Sequence, residues 1–340
     1  MLSVTEKGES MERATIYSIA SSLGISASTV SRAFSRPDMV KNSVREAVLA
    51  KAEEVGYQPN RAARGLATGQ TGVFGLLIPD ITNPFFPPFV RAVQHAAGQY
   101  DSEILLIDSG RSQNAEEDLV RRIRPQVDGL IIASPRLPSG RLKKLLTGIP
   151  SVVVNRAVRG LPAVLCDNST ALRQAADHLY QLRHRKFALL RGPSTAWAAV
   201  QRARAVREWA EGRTDIEFTE LGPIEAQFAD GRAAATGVVD SGATAILAFD
   251  DLMAAGVIAG LSDLGETVPR DRSIVGCDDV LLAQTMTPSL TTVTAPLTDL
   301  GQQAVTTLRA VLAGQPVRDL RLQGELALRG TVAPPRRRRR

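Results

Sequence analysis

From Val73 onward, short apolar runs alternate with helical segments, and this alternation constrains the fold more than any other feature of the chain. Eight runs read as strands: 73–78, 104–107, 130–133, 152–155, 163–166, 187–191, 245–249 and 273–277. Most end in polar residues or in Gly or Pro. Continuous apolar runs separated by helices mark strands buried on both faces and joined by parallel crossovers. Eight such units exceed one sheet of about five or six strands. The pattern therefore predicts two doubly wound parallel-sheet lobes. Open sheets of this kind bind ligands beyond the carboxyl ends of their strands, so two facing lobes would hold a ligand in the cleft between them.

Residues 14–58 follow another rule and read as three short helices. Thr15 can cap a first helix, 16–22, and Gly24 permits the turn that ends it. Ser26 can cap a second helix, 27–34, and Pro37 breaks the chain. Ser43 starts a third helix, with Val44, Val48 and Val55 recurring on one face. The stretch TIYSIASSLGISASTVSRAF, residues 15–34, fits a helix-turn-helix. Ala20 is small where the helices cross, Gly24 occupies the turn, and Ile16, Ile19, Leu23, Ile25 and Val30 supply a core. Ala27, Ser28, Ser31 and Arg32 then point outward, as a groove-reading surface requires. An ordinary helical hairpin is the plainer alternative. A short helical stretch at 60–66 precedes Gly69-Gln70-Thr71-Gly72, which reads as a linker.

The net charge of +6 on 340 residues is mostly a tail. Residues 1–68 carry 9 Lys/Arg against 7 Asp/Glu, and the last five residues are all arginine. That tail reads as a solvated terminus or as added nonspecific attraction to DNA. No run of 18 apolar residues exists, so no membrane span is expected, and residues 1–13 have no apolar segment typical of an export signal. Two cysteines, Cys166 and Cys277, cannot form a disulfide framework. The three histidines, His95, His178 and His184, have no metal-ligand spacing, and no GxSxG, HExxH or GxxxxGK[ST] motif is present. A cytoplasmic protein without enzymatic activity, cofactor or metal is expected.

The 15–34 motif, followed by VREAVLAKAEEVGYQPNRAARGLATGQTGVFGLLIPDITNPFF, resembles the lactose-repressor/galactose-repressor family of bacterial transcription regulators, from about Thr15 to about Leu328. The resemblance implies an all-α helix-turn-helix DNA-binding domain joined to a periplasmic-binding-protein-like α/β effector domain. Its expected boundaries are a leader at 1–13, the DNA-binding domain at 14–58, a hinge helix and linker at 59–72, the effector and dimerisation domain at 73–333, and a tail at 334–340. Within the effector domain the N-lobe is expected at about 73–159 and 290–318, and the C-lobe at about 160–289 and 319–333. It further implies a nucleoid-associated repressor that binds a palindromic double-stranded operator as a homodimer. Ala27, Ser28 and Arg32 match base-contacting positions; a guanidinium can donate twice to one guanine. Thr29, Ser31 and Ser43 match phosphate contacts, and Thr15 and Asn60 complete the set. Ala63 and Leu66 match the minor-groove face of the hinge helix, where paired leucines wedge into a base step. Ser18 departs from the acidic residue usual in the family.

For the effector, the resemblance points to Asn83, Phe85 and Phe86 after the first strand, and to Asn155 and Arg156 after the fourth. It adds Trp197, Arg202, Phe228 as a stacking aromatic, Asp250 and Asp278. Asp251 and Asp279 read as structural neighbours. Amides and carboxylates around aromatic walls suit a neutral sugar or polyol, with a nucleoside or purine as the second possibility. An export-type sugar-binding protein without a regulatory role is the remaining alternative, although it has no use for residues 14–68.

Overall fold

The computed structural model describes residues 14–35, 37–57 and 69–336. The expected hinge residues Asn60, Ala63 and Leu66 lie outside the described residues. The chain divides into two units, residues 1–72 and 73–340.

Among the described residues of the first unit, three α-helices form: α1 (Ile16–Leu23), α2 (Ala27–Ser35) and α3 (Asn42–Glu54). The Thr15 hydroxyl accepts from the Ser18 amide (3.2 Å), and the Ser18 hydroxyl accepts from the Thr15 amide (3.0 Å). Serine at position 18 thus completes a reciprocal cap, satisfying two N–H groups that a helix start otherwise leaves open. Gly24 sits at φ 63° and turns the chain into α2. There the Ser26 hydroxyl accepts from the Thr29 amide (3.1 Å). Ile19, Ala20, Val30, Ala33, Val48 and Ala52 make the small core. Val55 does not join them. It ends α3 and is exposed, while Ala52, one turn after Val48, takes the buried position.

In the second unit, the strands are β1 (Val73–Ile78), β2 (Glu103–Asp108), β3 (Gly129–Ala133), β4 (Ser151–Val154), β5 (Ala163–Asp167), β6 (Lys186–Leu190), β7 (Glu217–Leu221), β8 (Ala245–Ala248), β9 (Ser273–Asp278), β10 (Thr291–Thr294), β11 (Leu320–Gln323) and β12 (Leu326–Ala327). The connecting helices are α4 (Phe86–Gly98), α5 (Gln113–Ile123), α6 (Ser139–Leu146), α7 (Ser169–Gln181), α8 (Trp197–Glu211), α9 (Phe228–Asp240), α10 (Asp251–Asp263), α11 (Leu281–Thr285) and α12 (Leu297–Leu312). Two six-stranded sheets result, in the orders β11-β5-β4-β3-β1-β2 and β12-β10-β9-β8-β6-β7. Every strand pair is parallel except β10–β12. Alternate side chains of each strand feed cores on opposite faces. Leu76 and Ile78 pack with Phe89 of α4 and Leu300 of α12, whereas Leu77 packs with Val120 of α5 and Leu142 of α6.

All eight runs read as strands are strands, but the expected lobe boundaries shift. Residues 163–167 pair with β4 and belong to the N-lobe sheet, and 291–294 pair with β9 in the C-lobe sheet. Residues 320–323 pair with β5, so they too are N-lobe. The chain crosses between lobes at 168, at 295–296 and at 324–325, because each strand completes its pairing before it leaves its sheet. The three crossings lie together. The Gly324 amide donates to the Asp167 carbonyl (3.3 Å), and a Cβ on Gly324 would run into the Thr294 carbonyl oxygen and crowd the Asn168 amide oxygen. Asn168 itself accepts from the Cys166 thiol (2.8 Å) and donates to Cys277 Sγ (2.9 Å). Both cysteines are free.

Candidate nucleic-acid interface and effector cleft

On α2, Ser28 and Arg32 are exposed. Their four-residue spacing puts them on one face of the helix. Ser28 and Thr29 each share a hydrogen bond of 2.8 Å with the Ser26 hydroxyl, so the start of the helix is held by its own hydroxyls. Ser31 is half-buried, and Ser43 is exposed in the first turn of α3. Ala27, expected to point outward, is half-buried against the helical core. Thr15 is exposed at the cap.

The cleft lies between the carboxyl ends of the two sheets. Asp278 ends β9 in a left-handed conformation, φ 110°. Arg202 of α8 donates to its Oδ1 (2.5 Å) and to the Phe249 carbonyl (2.6 Å), with its guanidinium 4.9 Å from the centre of the Phe249 ring. Burial works against the Arg202 charge, but the adjacent Asp278 more than compensates and raises its affinity for the proton. Across the cleft, Phe85 and Phe86 meet edge to face, 5.1 Å between ring centres. Asn155, at φ 59°, is held by accepting from the Cys166 amide (3.2 Å). These residues, with Asn83 and Trp197, wall one cavity.

Three expected residues stand elsewhere. Arg156 turns into its own lobe and donates to the carbonyls of Pro135 (2.8 Å) and Leu137 (2.6 Å) and to Ser139 Oγ (3.1 Å). Those carbonyls lie in the loop after β3, and satisfying them occupies Nη1 and turns the guanidinium away from the cleft. Phe228 is 43% exposed and absent from the cavity wall. Its carbonyl is pressed so closely onto α10 that a Cβ on Gly256 would collide with it, which pins the start of α9 and leaves the ring outside. Asp250 sits behind Asn83, capping α10 by accepting from the Met253 amide (2.8 Å) and accepting from Asn83 Nδ2 (3.2 Å). Burial and the nearby Asp278 push its carboxyl up to about 6. Asp251 is structural as expected: it accepts from the Val280 amide (2.9 Å) and from Thr292 Oγ1 (2.5 Å).

Sequence reasoning missed Ser134, Arg136 and Phe249, all of which line the cavity. Each lies within three residues of the carboxyl end of a strand, and that position was the available signal. Phe249 is the last letter of the run read as a strand at 245–249. Among the described residues no group of three or more His, Cys, Asp and Glu could hold a metal ion, and no helix is long and apolar enough to cross a membrane.

Residues 15–60 match the profile of bacterial regulatory proteins of the lacI family, and residues 176–332 match that of the periplasmic binding protein-like domain. The ribose operon repressor of Halalkalibacterium halodurans is 32% identical over 84% of this chain and 87% of its own length. This chain belongs to the lacI family. Among solved structures, the lac repressor dimer bound to operator and the anti-inducer ONPF is 26% identical, covers 95% of this chain and 100% of its own, and has a TM-score of 0.82. A LacI family regulator from Enterococcus faecium with bound ribose is 26% identical over 77% of this chain and 99% of its own, with a TM-score of 0.69. As a lacI-family member the chain is a DNA-binding transcription regulator rather than an enzyme.

For such a regulator, the contacts that join the lobes matter as much as the cavity wall. Three side-chain pairs cross the cleft: Asn83 with Asp250 (3.2 Å), Gln227 with Asp80 (3.1 Å) and Arg136 with Glu225 (3.3 Å). Arg136 is aimed by its surroundings: Glu116 accepts from its backbone amide (2.9 Å), and Arg156 holds the carbonyls on either side of it. A ligand that bridges the lobes competes with or reinforces these links.

Proposed function

We propose that this protein represses transcription by binding a palindromic operator as a homodimer, and that a sugar held between its lobes sets its operator affinity. The observation that carries this reading is the pair of Asp278, at the end of β9, with Arg202 of α8, buried and facing aromatic walls from both lobes. Phe85, Phe86, Trp197 and Phe249 offer apolar faces to sugar C–H groups. Asn83, Asn155, Arg202 and Asp278 offer planar polar groups to adjacent hydroxyls. Dimeric operator binding by the lac repressor and ribose binding by the Enterococcus faecium regulator support the two halves of the proposal. Ser28 and Arg32 read base edges, Thr29, Ser31 and Ser43 face phosphates, and Thr15 holds the helix start. Ala63 and Leu66 enter the minor groove, and the protein works at the nucleoid.

The test begins with selection of operator fragments by the full-length chain. Arg32→Ala should then lose about 1–3 kcal/mol of discrimination at one base pair. A uniform loss over all sequences would mark Arg32 as a phosphate contact, and the lack of any sequence preference in the unsubstituted chain would overturn the operator reading. In calorimetry, Asp278→Ala should abolish sugar binding; full retention of affinity would remove the cleft assignment. Linkage requires that the same sugar and operator change each other's affinity by equal factors.

A further inference from the structure

Trp197 and Arg202 take part in two cavities. On the side of the lobe crossings lies a second cavity of about 250 Å³, and these two residues wall both compartments. Its remaining polar walls come from both lobes. Asp167 ends β5 and Arg321 lies on β11, both in the N-lobe sheet; Arg173 of α7, with Gln201, Arg204 and Glu208 of α8, belongs to the C-lobe.

We propose that this compartment is a second subsite, which takes the second ring of a disaccharide-type effector whose first ring lies in the aromatic compartment. The proposal rests on the sugar reading above and deepens it. Its walls mix donors with acceptors. Arg321 stands 3.8 Å from Asp167 and Arg173 stands 3.9 Å from Glu208, ion pairs that are too long for hydrogen bonds. Arg173 is otherwise held only by a 3.5 Å contact to Thr170 Oγ1, so both guanidiniums keep N–H groups for another partner. Asp167 accepts from the Ser169 amide and hydroxyl at one oxygen, and Glu208 accepts from Arg204 at one of its own.

An anion placed here would face Asp167 and Glu208. An apolar group would strip water from the guanidiniums and replace none of its hydrogen bonds. A polyhydroxylated ring donates to the carboxylates and accepts from the guanidiniums at once, and Trp197 gives its C–H face a wall. Because the walls belong to different lobes, a ring in this compartment ties the lobes together beside their crossings, while the first ring ties them farther out.

Calorimetry on the full chain tests this with ribose, glucose and galactose against maltose, cellobiose, lactose and trehalose. At least one disaccharide should bind about tenfold tighter than the best monosaccharide, or about 1.4 kcal/mol. The Arg173→Gln/Arg321→Gln double variant should lose that advantage and keep monosaccharide affinity within about twofold, which also shows that it is folded. Disaccharides no tighter than monosaccharides, or an advantage that survives the double substitution, would overturn the subsite and leave the sugar reading intact. No binding by sugars of either size would overturn both.

Discussion

Asp250 carries two roles that pull its ionisation in opposite directions. Burial and the charge of Asp278 favour the protonated acid, whereas the Met253 amide and Asn83 favour the carboxylate; the balance lies at about 6. An unfolded aspartate titrates near 3.9. Between these values the folded chain binds a proton that the unfolded chain does not, so stability rises as pH falls from about 6 toward 4. The full effect is about 3 kcal/mol, from two pKa units at roughly 1.4 kcal/mol each. Urea denaturation from pH 7 to pH 4 should show this rise in the parent protein and a smaller one in Asp250→Asn, whose amide can still cap α10. Parallel pH profiles would contradict it. At this scale the sequence was legible where a strand end dictates the position, as for Asp278, whereas Arg202, inside α8, came to notice only through the family resemblance. It was not legible for Arg156 against Arg136. Both follow strands by one to three residues, and only the loop carbonyls that needed donors decide which guanidinium faces the cleft.

Among the elements, α1 depends on its first turn. It is 8 residues long, too short to persist by propensity alone. Its reciprocal Thr15–Ser18 cap satisfies two amides with two hydroxyls. Thr15→Ala should destabilise the first unit by about 1 kcal/mol, seen as a lower melting temperature and weaker DNA binding, whereas Thr15→Ser should change little. An unchanged melting temperature in Thr15→Ala would deny the cap its role. Strands rich in Val, Leu and Ile announced themselves in the sequence, but β10 did not. Thr291, Thr292 and Val293 are fully buried, yet three of the four residues of β10 are threonines. Their hydroxyls find internal partners: Thr292 donates to Asp251, and Thr291 accepts from the Arg329 amide. The partners come from distant parts of the chain, so a local reading sees only a polar segment. Strand β7 is hidden for another reason. As an edge strand it is half-exposed, and only two of its five residues, Phe218 and Leu221, are apolar.

At the scale of the whole effector unit, the three lobe crossings form one packed junction. Gly324 is the point where they touch, between the Thr294 carbonyl and the Asn168 side chain. Gly324→Ala has no free space for its methyl group and should cost about 1–3 kcal/mol, the range for overpacking. It should also change sugar affinity without altering any residue of the cleft, measured by calorimetry alongside thermal melting; unchanged values in both would show that the junction yields freely. Three covalent links set side by side work like the leaf of a door hinge. Links packed side by side resist sliding more than they resist rotation about the line that joins them, the geometry of a hinge. A ligand in the cleft therefore acts chiefly on the angle between the lobes, and its bulk matters separately from its affinity. Two sugars that bind equally well but differ in size would hold the lobes at different angles and so give different regulatory outputs.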